Sequence, residues 1–270
     1  MTNGDKIRQM SIYKLDWYTL MYNEADIIPY VVDYWQKLRD GGIDLHVYVH
    51  DNYSTDNSVN LLKDIPWITI RQFKSDGQND VIQAQIKNSC WMESRGRADF
   101  VCVSDFDEIL WGDLASELEV MKTNGYNVMA TDWYAFCGTE NPVYTPGMFL
   151  HQLLKRGYRQ HINHQPGYGH LGKFMVINPN KVDTMNWSVG NHISNPQPYM
   201  NLYKASKVVA FHVNKGLSED YFVQKRQKMN KRLSDTNKAY GMCIEYGYSE
   251  ERIRMEYQGY QKESIDISEL

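Results

Sequence analysis

The sequence predicts an α/β protein built on a mixed, mainly parallel sheet with helices on both faces. Three observations lead there. In the first half, short apolar runs of strand length alternate with amphipathic stretches of helix length. The connections between them are short and polar, the pattern of consecutive β-α-β units. At 270 residues, with 42% hydrophobic and 23% charged side chains, the chain can bury a large core without disulfides or a structural metal.

The elements follow in order. Residues 17–22 read as the first strand. Residues 23–26 open a helix in which Ile28, Val31, Val32, Trp35 and Leu38 recur at three- and four-residue steps, and Gly41 and Gly42 stop it. Residues 46–49 form a second strand, 56–62 a short helix and 67–73 a third strand. Residues 79–93 form a helix with Ile82, Ile86 and Cys90 aligned, and 100–103 a fourth strand. The second half is less regular. Strands are expected at 127–136, 174–177 and 208–213. Residues 137–170, rich in Gly, Pro, His and Tyr, read as long loops. Residues 217–233 form a helix. Glu219 and Asp220 lie in its first turn and Lys225, Arg226, Lys228, Lys231 and Arg232 lie later, which complements the helix dipole. The chain reads as one domain, 1–270.

Composition excludes several classes. A net charge of −4 argues against a nucleic-acid partner. Cys90, Cys102, Cys137 and Cys243 lack metal-ligand or redox spacing, so a reduced compartment is expected. The first ten residues have no apolar core for a signal peptide. No window approaches the ~18–20 apolar residues of a membrane helix. The expectation is a cytoplasmic protein that meets a membrane, if at all, as a peripheral contact from one side. The 20 Tyr and 7 Trp are expected mainly in the core, with stacking on a sugar as the alternative.

The chemistry concentrates in one place. Val101-Cys102-Val103 runs into Asp105, Asp107 and Glu108. Alternate side chains of an extended segment share a side, so Asp105 and Asp107 repel unless a cation lies between them. Mg²⁺ and Mn²⁺ take such hard oxygen ligands; the alternative is a pair of solvated acids. In parallel sheets, ligands bind outside the carboxyl ends of the strands. Three polar clusters, at 22–26, 51–58 and 104–108, converge on that edge. Capping accounts for Ser54, Thr55 and Asp56, but not for Asp51, which ends an apolar strand.

Taken in order, Asn23-Glu24, then Asp51-Asn52 with Ser54-Thr55-Asp56, then Asp105-Phe106-Asp107-Glu108 resemble the family-2-type glycosyltransferases. Residues 133–138 are similar to that branch's Trp-x-x-Phe-Gly, with one extra residue before the glycine. Residues 172–182 are similar to its Lys-containing strand followed by Pro. Residues 190–192 and 211–222 are similar to its two later histidines and its Lys-x-x-Ser-x-x-x-Phe helix start. The likeness covers roughly residues 15–230 and rests on the ordered set, since each motif alone is weak.

The resemblance implies the GT-A fold, a UDP- or GDP-sugar donor and Mn²⁺ or Mg²⁺. It implies transfer with inversion to a glycan, lipid-linked or other surface-polysaccharide acceptor. Residues 12–110 would bind the nucleotide sugar, 111–235 would build the acceptor half, and 236–270 would form a C-terminal helical extension. It further implies that Asn23, Glu24 and Asp51 line the nucleoside pocket and that Asp105 reaches the ribose or the metal. Asp107 would ligate the metal, with His212 as a further protein ligand. Lys173 and Lys215 would meet diphosphate oxygens, and Trp133, Tyr134 and His192 would face the acceptor. Asp132, at the end of its strand, is the expected general base, because Glu219 and Asp220 look like helix caps. Plainer alternatives stand beside these: a core His212, solvated Lys173 and Lys215, a loop His192, a hydrogen-bonded Asp132 and core aromatics at 133 and 134. The basic helix 225–232 reads as a solvated face, or as a surface for an anionic membrane or lipid-phosphate acceptor.

The rival readings are a carbohydrate-binding scaffold that lost its chemistry and a metal-dependent phosphatase. For the phosphatase, Ile109 stands where Thr or Val is wanted, and Gly112-Asp113 follows too closely to be the later acidic pair. No phosphate-binding G-x-x-x-x-G-K-[ST] loop occurs. A sugar-nucleotide pyrophosphorylase would open with a Gly-rich loop where Asn23-Glu24 stands.

Overall fold

The computed structural model describes residues 13–160, 170–171, 173–189, 193–213 and 216–270. The first half runs β1 (Tyr13–Met21), α1 (Ile28–Asp40), β2 (Ile43–Asp51), α2 (Ser58–Leu62), β3 (Ile68–Gln72), α3 (Asp80–Ser89) and β4 (Phe100–Asp105), with a 3₁₀ turn at Cys90–Ser94. Then come β5 (Glu108–Gly112), α4 (Leu114–Asn124), β6 (Val128–Phe136), α5 (Leu150–Leu154), β7 (Arg156–Arg159), β8 (His170–Leu171), β9 (Val176–Ile177) and β10 (Ile193–Ser194). The last part holds β11 (Leu202–His212), α6 (Glu219–Lys231), α7 (Asp235–Ala239), α8 (Glu250–Glu263) and β12 (Ile265–Asp266).

The expected α/β class is observed. β3, β2, β1 and β4 lie side by side and parallel, in that order. Beyond β4 the sheet turns mixed: β9 is antiparallel to β4 and β6, and β11 runs parallel to β6 and antiparallel to β5. Strand alternation explains the layers. Leu15, Trp17, Leu45, Val47, Phe100 and Cys102 bury one face in a cluster that includes α1 and α4. Tyr18, Tyr48, Val101 and Val103 bury the other face with Trp91 and Trp187. Helices therefore cover both faces. Among the described residues, no helix is long and apolar enough to cross a membrane.

Several elements lay outside the sequence expectations: residues 137–170, read as long loops, contain α5 and β7, and two others, β5 and α4, bear on the site. Residues 108–112, assigned to no element from the sequence, form β5, whose residues Ile109 and Leu110 are buried. It pairs with β11 in a register that sets His212 opposite Glu108. The second is α4, which carries both terminal signals. Asp113 caps it by accepting from Ser116 N at 3.1 Å, and Gly125 ends it in the left-handed region at φ 74°. Gly112 is required where β5 meets β11. Its φ is +122°, and a Cβ there would stand 1.9 Å from the Lys207 carbonyl oxygen.

The wall opposite the sheet edge is α6. Phe222 and Val223 pack on Ile253 and Tyr257 of α8. Arg226 is buried and pairs with Glu256 at 3.3 Å, with Glu245 at 4.0 Å. Arg254 of α8 ties the first turn of α6 through Glu219 at 2.9 Å and Asp220 at 2.8 Å. Tyr257 donates to the Gly138 carbonyl at 2.6 Å, and a Cβ on Gly138 would stand 2.1 Å from the Leu217 carbonyl oxygen. These contacts fix α6 against the body of the protein.

Candidate active site

The site begins with two loops that bind each other. Asn23, after β1, adopts φ 53°, a conformation Asn tolerates better than most residues. Its side-chain oxygen accepts from Thr55 N at 2.7 Å and Asp56 N at 3.2 Å, and its own N–H donates to Ser54 Oγ at 2.9 Å. Glu24 N donates to Ser58 Oγ at 2.9 Å, and Ala25 N to Asp56 Oδ2 at 3.1 Å. The polar side chains at 54–58 thus serve the neighbouring loop more than their own helix. Residue 57, which caps α2, makes no side-chain capping bond.

The loops border a cavity of about 660 Å³ at the carboxyl ends of the parallel strands. Asp105, Asp107 and Glu108 meet there in three lysine pairs. Asp105, at the end of β4, pairs with Lys87 of α3 at 2.7 Å. Glu108 pairs with Lys173 and also accepts from Asp105 N at 2.9 Å, closing the turn between β4 and β5. Asp107, in that turn, pairs with Lys225 of α6 at 3.0 Å, and Lys225 lies 3.5 Å from Glu24. His212, delivered by the β5–β11 pairing, places Nε2 3.7 Å from the other Asp107 oxygen.

The electrostatics follow from burial and these partners. Burial opposes ionisation of Asp107, but Lys225 and His212 outweigh it and hold the carboxyl well below its ordinary range. Burial is likewise overcome at Asp105, mainly by Lys87 and then Lys173. Burial wins at Glu24, where Lys225 offsets it only in part and the carboxyl rises to about 7. Burial also raises Glu108, against Lys173. Lys225 resists burial because Asp107 and Glu24 raise it well above the usual lysine value. Burial lowers His212 to about 3, with Asp107 opposing, so its imidazole is neutral at physiological pH.

A neutral imidazole beside an ionised carboxylate is a donor set for a divalent cation. The 3.7 Å spacing is less than twice the ~2.1 Å metal–ligand distance, so one ion can reach both side chains. His212 Nδ1 is buried without a hydrogen-bond partner. Asp107 and His212 therefore fit an Mg²⁺ or Mn²⁺ half-site. Among the described residues, no group of three His, Cys, Asp or Glu is arranged to hold an ion. Asp105 is turned to Lys87 instead, so the expected three-ligand set of Asp105, Asp107 and His212 is not assembled here.

The other expected site residues divide sharply. Asn23, Glu24, Asp105, Asp107, Lys173 and His212 line the cavity. Asp51 does not: it is fully buried, and both its oxygens accept from Ser54 N at 3.2 Å, so it shapes the loop instead of lining a nucleoside pocket. Asp132 is also misplaced for a general base. It lies outside the cavity lining, half-exposed, bonded to Lys204 at 2.6 Å and Arg159 at 3.2 Å. Its hydrogen bond from Lys204 lowers its pKa, which weakens it as a base. Trp133 and Tyr134 are core residues, 2% and 8% exposed, not an acceptor platform. The Trp133 ring instead lies behind Lys173, 5.7 Å from its Nζ. Lys215 and His192 lie outside the described residues.

Sequence reasoning missed Lys87, Lys225 and Arg232. Lys225 and Arg232 were assigned to a solvated or membrane-facing helix surface, but both line the cavity, as does Lys228. The signal was spacing. Tyr221, Lys225, Lys228 and Arg232 recur at four-, three- and four-residue steps, one helix face. Arg232 stacks over Tyr22 at 3.2 Å from the ring centroid.

No family model matches the chain, and no curated protein matches it. Solved structures do. TarS of S. aureus is 12% identical with a TM-score of 0.46; the match covers 92% of this chain and 43% of that one. This chain therefore spans less than half the length of that neighbour. Residues 1–349 of TarS in complex with UDP-GlcNAc match at 11% identity and TM-score 0.39, over 91% of this chain and 71% of that one. The mannosyltransferase PcManGT from Pyrobaculum calidifontis, in complex with GDP-Man and Mn²⁺, matches at 13% and 0.47, over 92% and 74%.

Proposed function

We propose that this chain is a glycosyltransferase that moves a sugar from a nucleoside-diphosphate donor, with inversion, onto a glycan, glycolipid or other surface-polysaccharide acceptor. One observation carries the reading: Asp105, Asp107 and His212 meet Lys87, Lys173 and Lys225 in a single cavity outside the carboxyl ends of the parallel strands. The ordered motifs of the sequence support it.

Breaking the bond between the anomeric carbon and the diphosphate leaves negative charge on the leaving group. Lys87, Lys173 and Lys225, which line the same cavity, would neutralise that charge. Asp107 and His212 would hold Mn²⁺ or Mg²⁺, which supplies Lewis-acid stabilisation of the same charge when bound. The Asn23 loop positions the donor, and Arg232 with Tyr22 offers a flat cationic surface for the nucleoside. Glu24, with its carboxyl near neutrality, can hold or release a proton beside Lys225.

Calorimetric titration with UDP, GDP, dTDP and CDP, each with Mn²⁺ and again with EDTA, tests the reading. Metal-dependent binding of one nucleotide, followed by metal-dependent hydrolysis of its sugar conjugate, is expected. Binding of none of them would remove the donor site and leave the scaffold reading.

A further inference from the structure

Lys225 stands beside the position a divalent cation would take, on the Asp107 oxygen that His212 does not face. Its ammonium lies 3.0 Å from one Asp107 oxygen, and the side chain is only 16% exposed. A dication on Asp107 and His212 would be forced against this ammonium, and like charges in a half-buried site repel strongly. We propose that Lys225 is the resident counter-ion of Asp107 and is handed to the donor's diphosphate when a divalent cation takes the carboxylate, so that cation and nucleotide bind together and each binds weakly alone. The inference rests on the glycosyltransferase reading above.

The argument is one of partners. Without ligands, Lys87, Lys173 and Lys225 each sit on a carboxylate, so the cavity is close to charge-matched. A cation alone would displace Lys225 from Asp107 and leave it only Glu24, 3.5 Å away. A diphosphate alone would draw Lys225 off and leave Asp107 buried and uncompensated, a costly state. Both ligands together resolve the conflict: the cation keeps Asp107 neutralised, and the diphosphate gives Lys225 a new anion.

The lysine is built for the move. Its flexible four-carbon stem carries three donors that need no fixed fork geometry. Lys228 and Arg232 lie further along the same helix face and also line the cavity, so anion contacts continue beyond it. The α6 backbone can stay still, held by the Arg226 and Arg254 pairs to its neighbours. The coupling is reciprocal, each ligand raising the affinity for the other by the same factor.

The test is calorimetry on the full chain with Mn²⁺ alone, with UDP and GDP alone, with both together, and with uridine and guanosine, in wild type and Lys225→Gln. The glutamine keeps one hydrogen-bond donor for Asp107 but no charge. The variant should bind Mn²⁺ alone at least tenfold more tightly. It should bind the diphosphate in saturating Mn²⁺ at least tenfold more weakly and the nucleoside unchanged. With binding of the diphosphate alone unchanged, coupling between cation and diphosphate should then fall about tenfold. Unchanged or weaker Mn²⁺ affinity in the variant overturns the handover, as does undiminished diphosphate binding. If Lys225→Gln does not fold, Lys225→Arg decides. It keeps the charge, so Mn²⁺ alone must stay as weak as in wild type; tight binding there overturns the proposal. Absence of nucleotide binding in wild type with Mn²⁺ would sink the function itself, a result distinct from either outcome for Lys225.

Discussion

Replacing Lys87 with Met isolates the pair that turns Asp105 inward. The ammonium lies 2.7 Å from Asp105, and its side chain is 4% exposed. At that distance the attraction is about 6 kcal/mol at an effective dielectric of ~20. Two effects reduce the net loss. Methionine removes the desolvation penalty of the ammonium, several kcal/mol by itself. Asp105 is 33% exposed and keeps Lys173 as a second cation, so water and Lys173 screen the orphaned charge. The net destabilisation is about 2–3 kcal/mol, below the ~3–5 kcal/mol of a fully buried pair. In urea, with a slope of about 3 kcal/mol per molar, the midpoint falls by a little under 1 M.

The pH dependence sharpens this test. In wild type, Asp105 is held below its ordinary range, so its contribution is present above about pH 4 and lost as pH falls through the folded value. In Lys87→Met, burial wins and raises the carboxyl, so protonation relieves the variant. The gap between the two proteins is therefore full at pH 7 and closes toward pH 3. Equal midpoints at pH 7, or a gap of constant size down to pH 3, would refute the reasoning.

Other expectations are simpler. Asp132→Asn should leave transfer within about twofold of wild type in a steady-state assay, because it lies outside the cavity lining; a loss beyond tenfold would restore it as the base. Gly138→Ala should cost about 2–4 kcal/mol, read as a lower thermal midpoint, because its Cβ would collide with the Leu217 carbonyl; an unchanged midpoint contradicts that packing. His212, lowered to about 3, contributes stability that is present above about pH 6.5 and lost as pH falls toward 3. In EDTA, His212→Gln should therefore retain roughly 2–3 kcal/mol that wild type loses between pH 6.5 and 4.5. His50 and His151, also lowered, leave part of the wild-type slope in place, so parallel slopes would be the refuting result.

The first half of the chain was legible because its periodicity is strong. The apolar face of α1, with Ile28, Val31, Trp35 and Leu38, is buried where its spacing predicts, and the first four strands are parallel, as expected. Asp105 and Asp107 reached the expected edge. The partners of these acids were not legible, because long-range ion pairing leaves little local trace. Lys87 shares the buried face of α3 with Ala84, whereas the visible apolar stripe ran through Ile82, Ile86 and Cys90. Asp132 looked catalytic because it was read as a strand end, but it lies in the middle of β6 as a salt-bridged, half-exposed acid. Glu108, read with the acids of the motif, instead closes the turn and anchors Lys173, a role only the β5–β11 pairing reveals.

The Lys225 contacts also impose an order on synthesis. Lys225 lies 118 positions after Asp107, roughly 6–24 s later at ~5–20 residues per second. During that interval the nascent sheet carries Asp107 and Glu24 without the one cation that later joins them. Burying either charge alone is unfavourable, so the sheet edge must stay hydrated until α6 arrives. Docking of α6 on the sheet edge is then drawn in part by charge, and it should slow as salt is added.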